Sequence, residues 1–164
     1  MKTIKLIILL LSCCLVSGCL DKYLGTYDTH ADFVLINEAG KELKIIKYYL
    51  NNSAEERERD LGIVGINDTT ILYSQTWSSK FGVDDELFDL TIIGKYTLTY
   101  RIVFRDEAGN VVKEWYAKDA DSEPGNFFNR DSWEYKKSPH YEPYGDGKAS
   151  GTDIVWTFRL KENL

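Results

Sequence analysis

YTLTYRIVF, residues 96–104, is the stretch whose reading decides the fold. Tyr96, Leu98, Tyr100, Ile102 and Phe104 fall on one side of an extended chain, and Thr97, Thr99, Arg101 and Val103 on the other. Strict alternation of this kind is the pattern of a β-strand with one packed face. The β-branched and aromatic content agrees. Asp106-Glu107-Ala108-Gly109-Asn110 interrupts the pattern, and VVKEWYA, residues 111–117, resumes it, which predicts a hairpin closed by a glycine-containing loop.

Working outward, the same grammar recurs. ADFVLIN (31–37) reads as a strand, Glu38-Ala39-Gly40-Lys41 as a turn, and LKIIKYYL (43–50) as the returning strand. Neither face of that second strand is purely apolar, so part of it is expected to be covered on both sides. Glu55-Glu56-Arg57-Glu58-Arg59-Asp60 reads as a solvated loop or a single helical turn, with Glu55 and Arg59 at helical spacing. LGIVGI (61–66) is a strand interrupted by two glycines, Asn67-Asp68 a turn, and TTILYSQTW (69–77) a strand. Residues 78–86 form a loop, and 87–93 a short strand or helical turn. Residues 118–130 are a polar loop, DSWEYKK (131–137) pairs as a strand through Trp133 and Tyr135, and 138–151 is a long Pro/Gly loop. DIVWTFRL (153–160) closes the domain, with Ile154, Trp156 and Phe158 opposing Val155, Thr157 and Arg159.

Seven to nine short strands without a long helix predict an all-β fold. The expected form is an antiparallel immunoglobulin-like β-sandwich, with a small β-barrel as the alternative. No cysteine pair staples the sheets, so the immunoglobulin likeness is one of architecture.

The chain opens with Lys2 and Lys5, an apolar run over residues 7–16, and then Val16-Ser17-Gly18-Cys19. A membrane-spanning helix needs about 20 consecutive apolar residues. This run is shorter and is broken by Ser12, Cys13 and Cys14, which suits a signal-peptide core. It resembles a bacterial lipoprotein signal. The resemblance implies cleavage before Cys19 and a diacylglycerol on its thiol. Two or three acyl chains hold a protein at a membrane where one chain does not. The organisation expected is a signal at 1–18, a lipidated tether at 19–30 and one β-sandwich domain at 31–164. Cys13 and Cys14 leave with the signal, so the remaining 146 residues contain no free thiol once Cys19 is lipidated. That length supports a single core burying roughly 70% of the unfolded surface.

The formal charge is −6, and −8 without Lys2 and Lys5. An acidic body argues against nucleic acid, whose binding requires basic groups to displace counterions. It argues equally against protein-surface contact with anionic lipid.

Beyond the signal, the chain resembles small uncharacterised envelope lipoproteins of Bacteroidetes. Three stretches carry the likeness: the early strand ending in Asn37 with its return into LKII, the hairpin RIVFRDEAGNVVKEW, and NFFNRDSWEY followed by the terminal WTFRL. The resemblance implies a β-sandwich lipoprotein of the envelope, at the outer membrane, without an assigned activity. Some lipoproteins of these bacteria carry an acidic export signal after the lipidated cysteine, and here Leu20-Asp21-Lys22 offers one acid. Asp68-Thr69-Thr70 is similar to the short O-glycosylation motif of these organisms.

Catalytic chemistry is sparse. His30 lies in Asp28-Thr29-His30-Ala31-Asp32 and reads as a tether histidine, and His140 has no legible nucleophile beside it. Asp119-Ala120-Asp121-Ser122-Glu123 starts like a calcium loop, but Pro124 and Arg130 stand where an EF-hand needs Gly and Glu, leaving only a looser calcium site. No phosphate loop, dinucleotide fingerprint, serine elbow or zinc-protease helix occurs, so no cofactor is expected. Tyr141 and Tyr144, in the Pro/Gly loop, and Trp133 are the candidate ligand contacts, since flat rings beside carboxylates suit sugars. The same tyrosines would also fit as cover for a sheet edge. The function expected is a lipid-anchored, non-enzymatic adaptor or binding module for a protein or glycan partner, with a glycan-binding accessory role as the alternative. A hydrolase using paired carboxylates such as Asp119 and Asp121 is a further alternative.

Overall fold

The computed structural model describes residues 27–79, 86–94, 98–141, 147 and 149–161. Eight strands run through them: β1 (Tyr27–Glu38), β2 (Leu43–Leu50), β3 (Glu56–Val64), β4 (Thr69–Ser79), β5 (Leu98–Arg105), β6 (Val111–Tyr116), β7 (Trp133–His140) and β8 (Gly151–Lys161). They make two four-stranded sheets, ordered β4-β1-β8-β7 and β3-β2-β5-β6. The sheets stay separate rather than closing into a barrel, so the fold is an all-β sandwich. Pairing is antiparallel except between β1 and β8, which run parallel from Asp28 beside Gly151 to Glu38 beside Lys161. The first and last of these eight strands thus lie side by side at the centre of one sheet.

Aromatic side chains fill the space between the sheets. Phe33, Leu35, Trp156 and Phe158 come from one layer, and Leu43, Ile45, Ile102, Phe104 and Trp115 from the other. Trp115 meets Phe158 edge-on at 5.4 Å, joining the layers. Between β4 and β5 a helical turn, α1 (Glu86–Phe88), continues as a π-helical turn at Asp89–Gly94. It delivers Leu87, Phe88 and Ile92 to the same core.

Three features depart from the expectations. β1 starts at Tyr27 and its first pairs reach β4 and β8, so His30 belongs to a strand and not to a tether ending at residue 30. The charged run expected as a loop or helical turn is the first half of β3, paired along β2 from Glu56 to Asp60. An edge strand exposed over most of its length carries charges at little cost, and they discourage pairing with other chains. In β5 the alternation is reset. Tyr48 pairs with Arg101 and Tyr49 with Thr99, which leaves Tyr100 as a bulge. Ile102 and Phe104 face the core as expected, but Thr99 is buried and Leu98 exposed. Tyr96 and Thr97 lie outside the described residues.

Asn37 ties the connections at one end of the sandwich together. Its Nδ2 donates to the carbonyls of Lys41 at 2.7 Å, Gly65 at 3.0 Å and Val64 at 3.3 Å, and its Oδ1 accepts from Ala39 N at 3.0 Å.

Candidate ligand-binding face

The register of the second sheet places Glu58, Tyr48, Arg101 and Tyr116 directly opposite one another across β3, β2, β5 and β6. The neighbouring row of Lys47, Ile102 and Trp115 turns inward, so this row faces out. The Arg101 guanidinium lies 3.9 Å above the Tyr48 ring centroid. Its Nη1 is 3.7 Å from Glu114 Oε2. Burial works against the Arg101 charge, but the Tyr116 hydroxyl and the surrounding phenols outweigh it and leave its pKa raised. Arg101 Nε is buried with no hydrogen-bond acceptor.

The Tyr100 bulge adds a third phenol. Desolvation, then a hydrogen bond to the Glu56 carboxylate, raise the Tyr100 pKa, so the hydroxyl holds its proton. Lys118 places its ammonium 5.5 Å from the Tyr116 ring centroid. The result is a shallow, half-buried face of Tyr48, Tyr100 and Tyr116, held by a stacked arginine and rimmed by carboxylates. Such a face offers flat apolar area at low entropy cost together with donors and acceptors, which is the chemistry of a binding surface.

The residues singled out in the sequence do not meet there. Trp133 is only 5% exposed. Its ring donates from Nε1 to Phe127 O at 2.7 Å and packs among Phe33, Phe88, Phe127 and Phe158. It is a core residue and has no ring face to give a ligand, which corrects its reading as a contact. Tyr141 is 56% exposed and follows the opposite end of β7. Tyr144 and Cys19 lie outside the described residues.

The two histidines, distant in sequence, come together on the outer face of the other sheet, with ring centroids 4.3 Å apart. His140 Nδ1 is 2.9 Å from Asp153 Oδ1, and His30 Nδ1 is 3.0 Å from Thr76 Oγ1. Among the described residues no three His, Cys, Asp or Glu side chains are arranged to hold a metal ion. Asp119 sits in a 3-10 turn (Ala117–Asp119) whose carbonyl accepts from Ser122 and Glu123 nitrogens, and Glu123 pairs with Lys113 at 3.3 Å. A cleft of about 360 Å³ between β7, β8 and the preceding loop includes Asn129, Glu134 and Arg159. Arg159 is engaged there by Glu134 at 2.8 Å and Glu38 at 2.7 Å.

The tyrosine–arginine row is not legible along the sequence because it spans three strands. The available signal was that Tyr48, Arg101 and Tyr116 each take the outward position of an alternating strand. Compared with known proteins, the chain matches no family model and no curated sequence.

Proposed function

We propose that this chain is a lipid-anchored protein of the bacterial envelope that acts as a non-enzymatic binding module, with the Tyr48–Arg101–Tyr116 row as its ligand face. The row is the observation that carries the binding role. It sets two phenols and a stacked guanidinium on a rigid sheet, with the Tyr100 bulge beside them, where function needs no loop rearrangement. The anchor rests on Val16-Ser17-Gly18-Cys19. β1 begins at Tyr27, so an extended chain from Cys19 spans roughly 30 Å at most, which keeps the domain close to the outer membrane.

Two experiments test this reading. Cys19→Ala is expected to move the protein from the membrane fraction to the soluble one, and a variant that still sediments with membranes removes the anchor. Tyr48→Ala and Arg101→Ala are expected to weaken ligand binding by about thirtyfold each, as central aromatic and arginine contacts do. The second reading, a glycan ligand, is favoured by the ring-plus-carboxylate chemistry of the face. Array binding that is lost in both variants supports it. A blank array, with a protein partner whose affinity falls in both variants, supports an adaptor. Binding unaffected by either substitution removes this face as the site.

A further inference from the structure

Lys47 is a buried charge in the wrong company. Its side chain lies in the inward row of β2, beside Ile45, and is 8% exposed. The ammonium sits 5.0 Å from the Tyr73 ring centroid and 5.6 Å from that of Tyr49. Directly opposite it on β3 stands Arg59. Neither cation makes a hydrogen bond or ion pair with any described residue.

That arrangement is costly on general grounds. Like charges directly opposite in a sheet destabilise it, and a largely buried cation without a partner is costly even though Lys47 Nζ is not fully enclosed. Contact with two aromatic faces recovers part of the cost only. Burial, and then the charge of Arg59, lower the Lys47 pKa. The shortage is of placed acids, not of acids: the chain holds 26 Asp and Glu against 20 Lys and Arg. Tyr73 adds a third donor. Burial pushes its pKa up to about 12 against the opposing charge of Arg59, so its hydroxyl stays protonated. β3 and β4 are the edge strands on the same side of the two sheets, so Lys47, Arg59 and Tyr73 face the β3–β4 side of the sandwich.

We propose that Lys47, Arg59 and Tyr73 form a site for one small oxyanion group, a carboxylate or a phosphate, that enters between the sheets at the β3–β4 side. The anion supplies the acceptor that all three side chains lack among the described residues. Lys47 neutralises it from inside, Arg59 from the rim, and the Tyr73 hydroxyl donates a hydrogen bond. This site is on the opposite face of β2 from Tyr48, so it is independent of the ligand face proposed above.

The test melts the full purified chain at matched ionic strength in chloride, inorganic phosphate or acetate. Phosphate or acetate at about ten times its dissociation constant is expected to raise the melting temperature by about 4 °C over chloride. Lys47→Met keeps the buried stem and removes the cation, and Arg59→Gln changes an exposed edge position that the fold tolerates. Both are expected to abolish the rise. Tyr73→Phe is expected to weaken the anion about tenfold. A rise confined to phosphate assigns a phosphate group, and one confined to acetate a carboxylate. No rise with either anion overturns the site, as does a rise of equal size in Arg59→Gln.

Discussion

Gly151→Ala is expected to lower the melting temperature by about 10 °C, corresponding to a loss of about 3 kcal/mol. A Cβ at residue 151 falls 2.0 Å from the carbonyl oxygen of Asp28 and 2.9 Å from its carbonyl carbon. Both are backbone atoms of β1, so no side-chain rotation relieves the overlap. β8 has to move away from β1 at the point where the parallel pair begins. β8 is flanked by β1 and β7, so the strain reaches both neighbours. Opening this end also separates the rings of His30 and His140, since His140 pairs with Gly151. Gly109→Ala is the matched control. Its backbone has φ of +84°, but nothing lies within 4 Å of the added Cβ, so it bears only the left-handed penalty of about 1 kcal/mol. Thermal melting of the two variants separates a steric requirement for glycine from a conformational one. Equal melting temperatures for Gly151→Ala and the unaltered protein would show that the two central strands have slack there.

The two strands that read most clearly from composition fared differently, and the reason is mechanical. Ile154, Trp156 and Phe158 of β8 are buried as their alternation implies, because β8 lies between two neighbours with an unbroken register against β1. β5 alternates as clearly on paper, but Tyr100 bulges and shifts Leu98 and Thr99 to the other face. A bulge inserts one residue into the pairing and leaves no mark in composition. The first half of β3 was illegible for the opposite reason, while LGIVGI marked its second half. Its first half is exposed on both faces, so it has no apolar period, and pairing with β2 alone makes it a strand. The candidate sites follow the same logic. Trp133 belongs to the core because the loop before it folds back to offer Phe127 O to its indole, a contact between residues six apart with no pattern to announce it. The ligand face and the histidine pair need the register of three strands before their members can be seen as neighbours. What a single strand encodes in its own alternation was readable, and what depends on alignment between strands was not.

Asn37→Ala is expected to cost roughly 4 kcal/mol, and Asn37→Asp more at neutral pH. Asn37 is 0% exposed, and its amide serves four backbone groups of two separate connections. One connection leads from β1 to β2 and holds Ala39 and Lys41. The other leads from β3 to β4 and holds Gly65. The backbone of Asn37 reinforces the junction, donating to Asp68 O at 3.0 Å and accepting from Asn67 N at 2.9 Å. Alanine leaves a buried N–H and buried carbonyls without partners, each costing about 1–3 kcal/mol. Aspartate keeps the acceptor for Ala39 N but turns the donor side into an oxygen facing three carbonyls. Burial and these carbonyls disfavour the charged form, so the folded-state pKa of the introduced carboxyl rises above its unfolded value. A group with a raised folded pKa contributes stability that is present below its unfolded pKa and is lost as pH rises through the folded one. The deficit of Asn37→Asp relative to the parent is therefore expected to shrink on going from pH 7 to pH 4, while that of Asn37→Ala stays level. Urea denaturation at the two pH values reads the difference directly. A deficit for Asn37→Asp that is the same at both would mean that water, rather than the two turns, surrounds this side chain, and the junction would lose its role in joining the sheets.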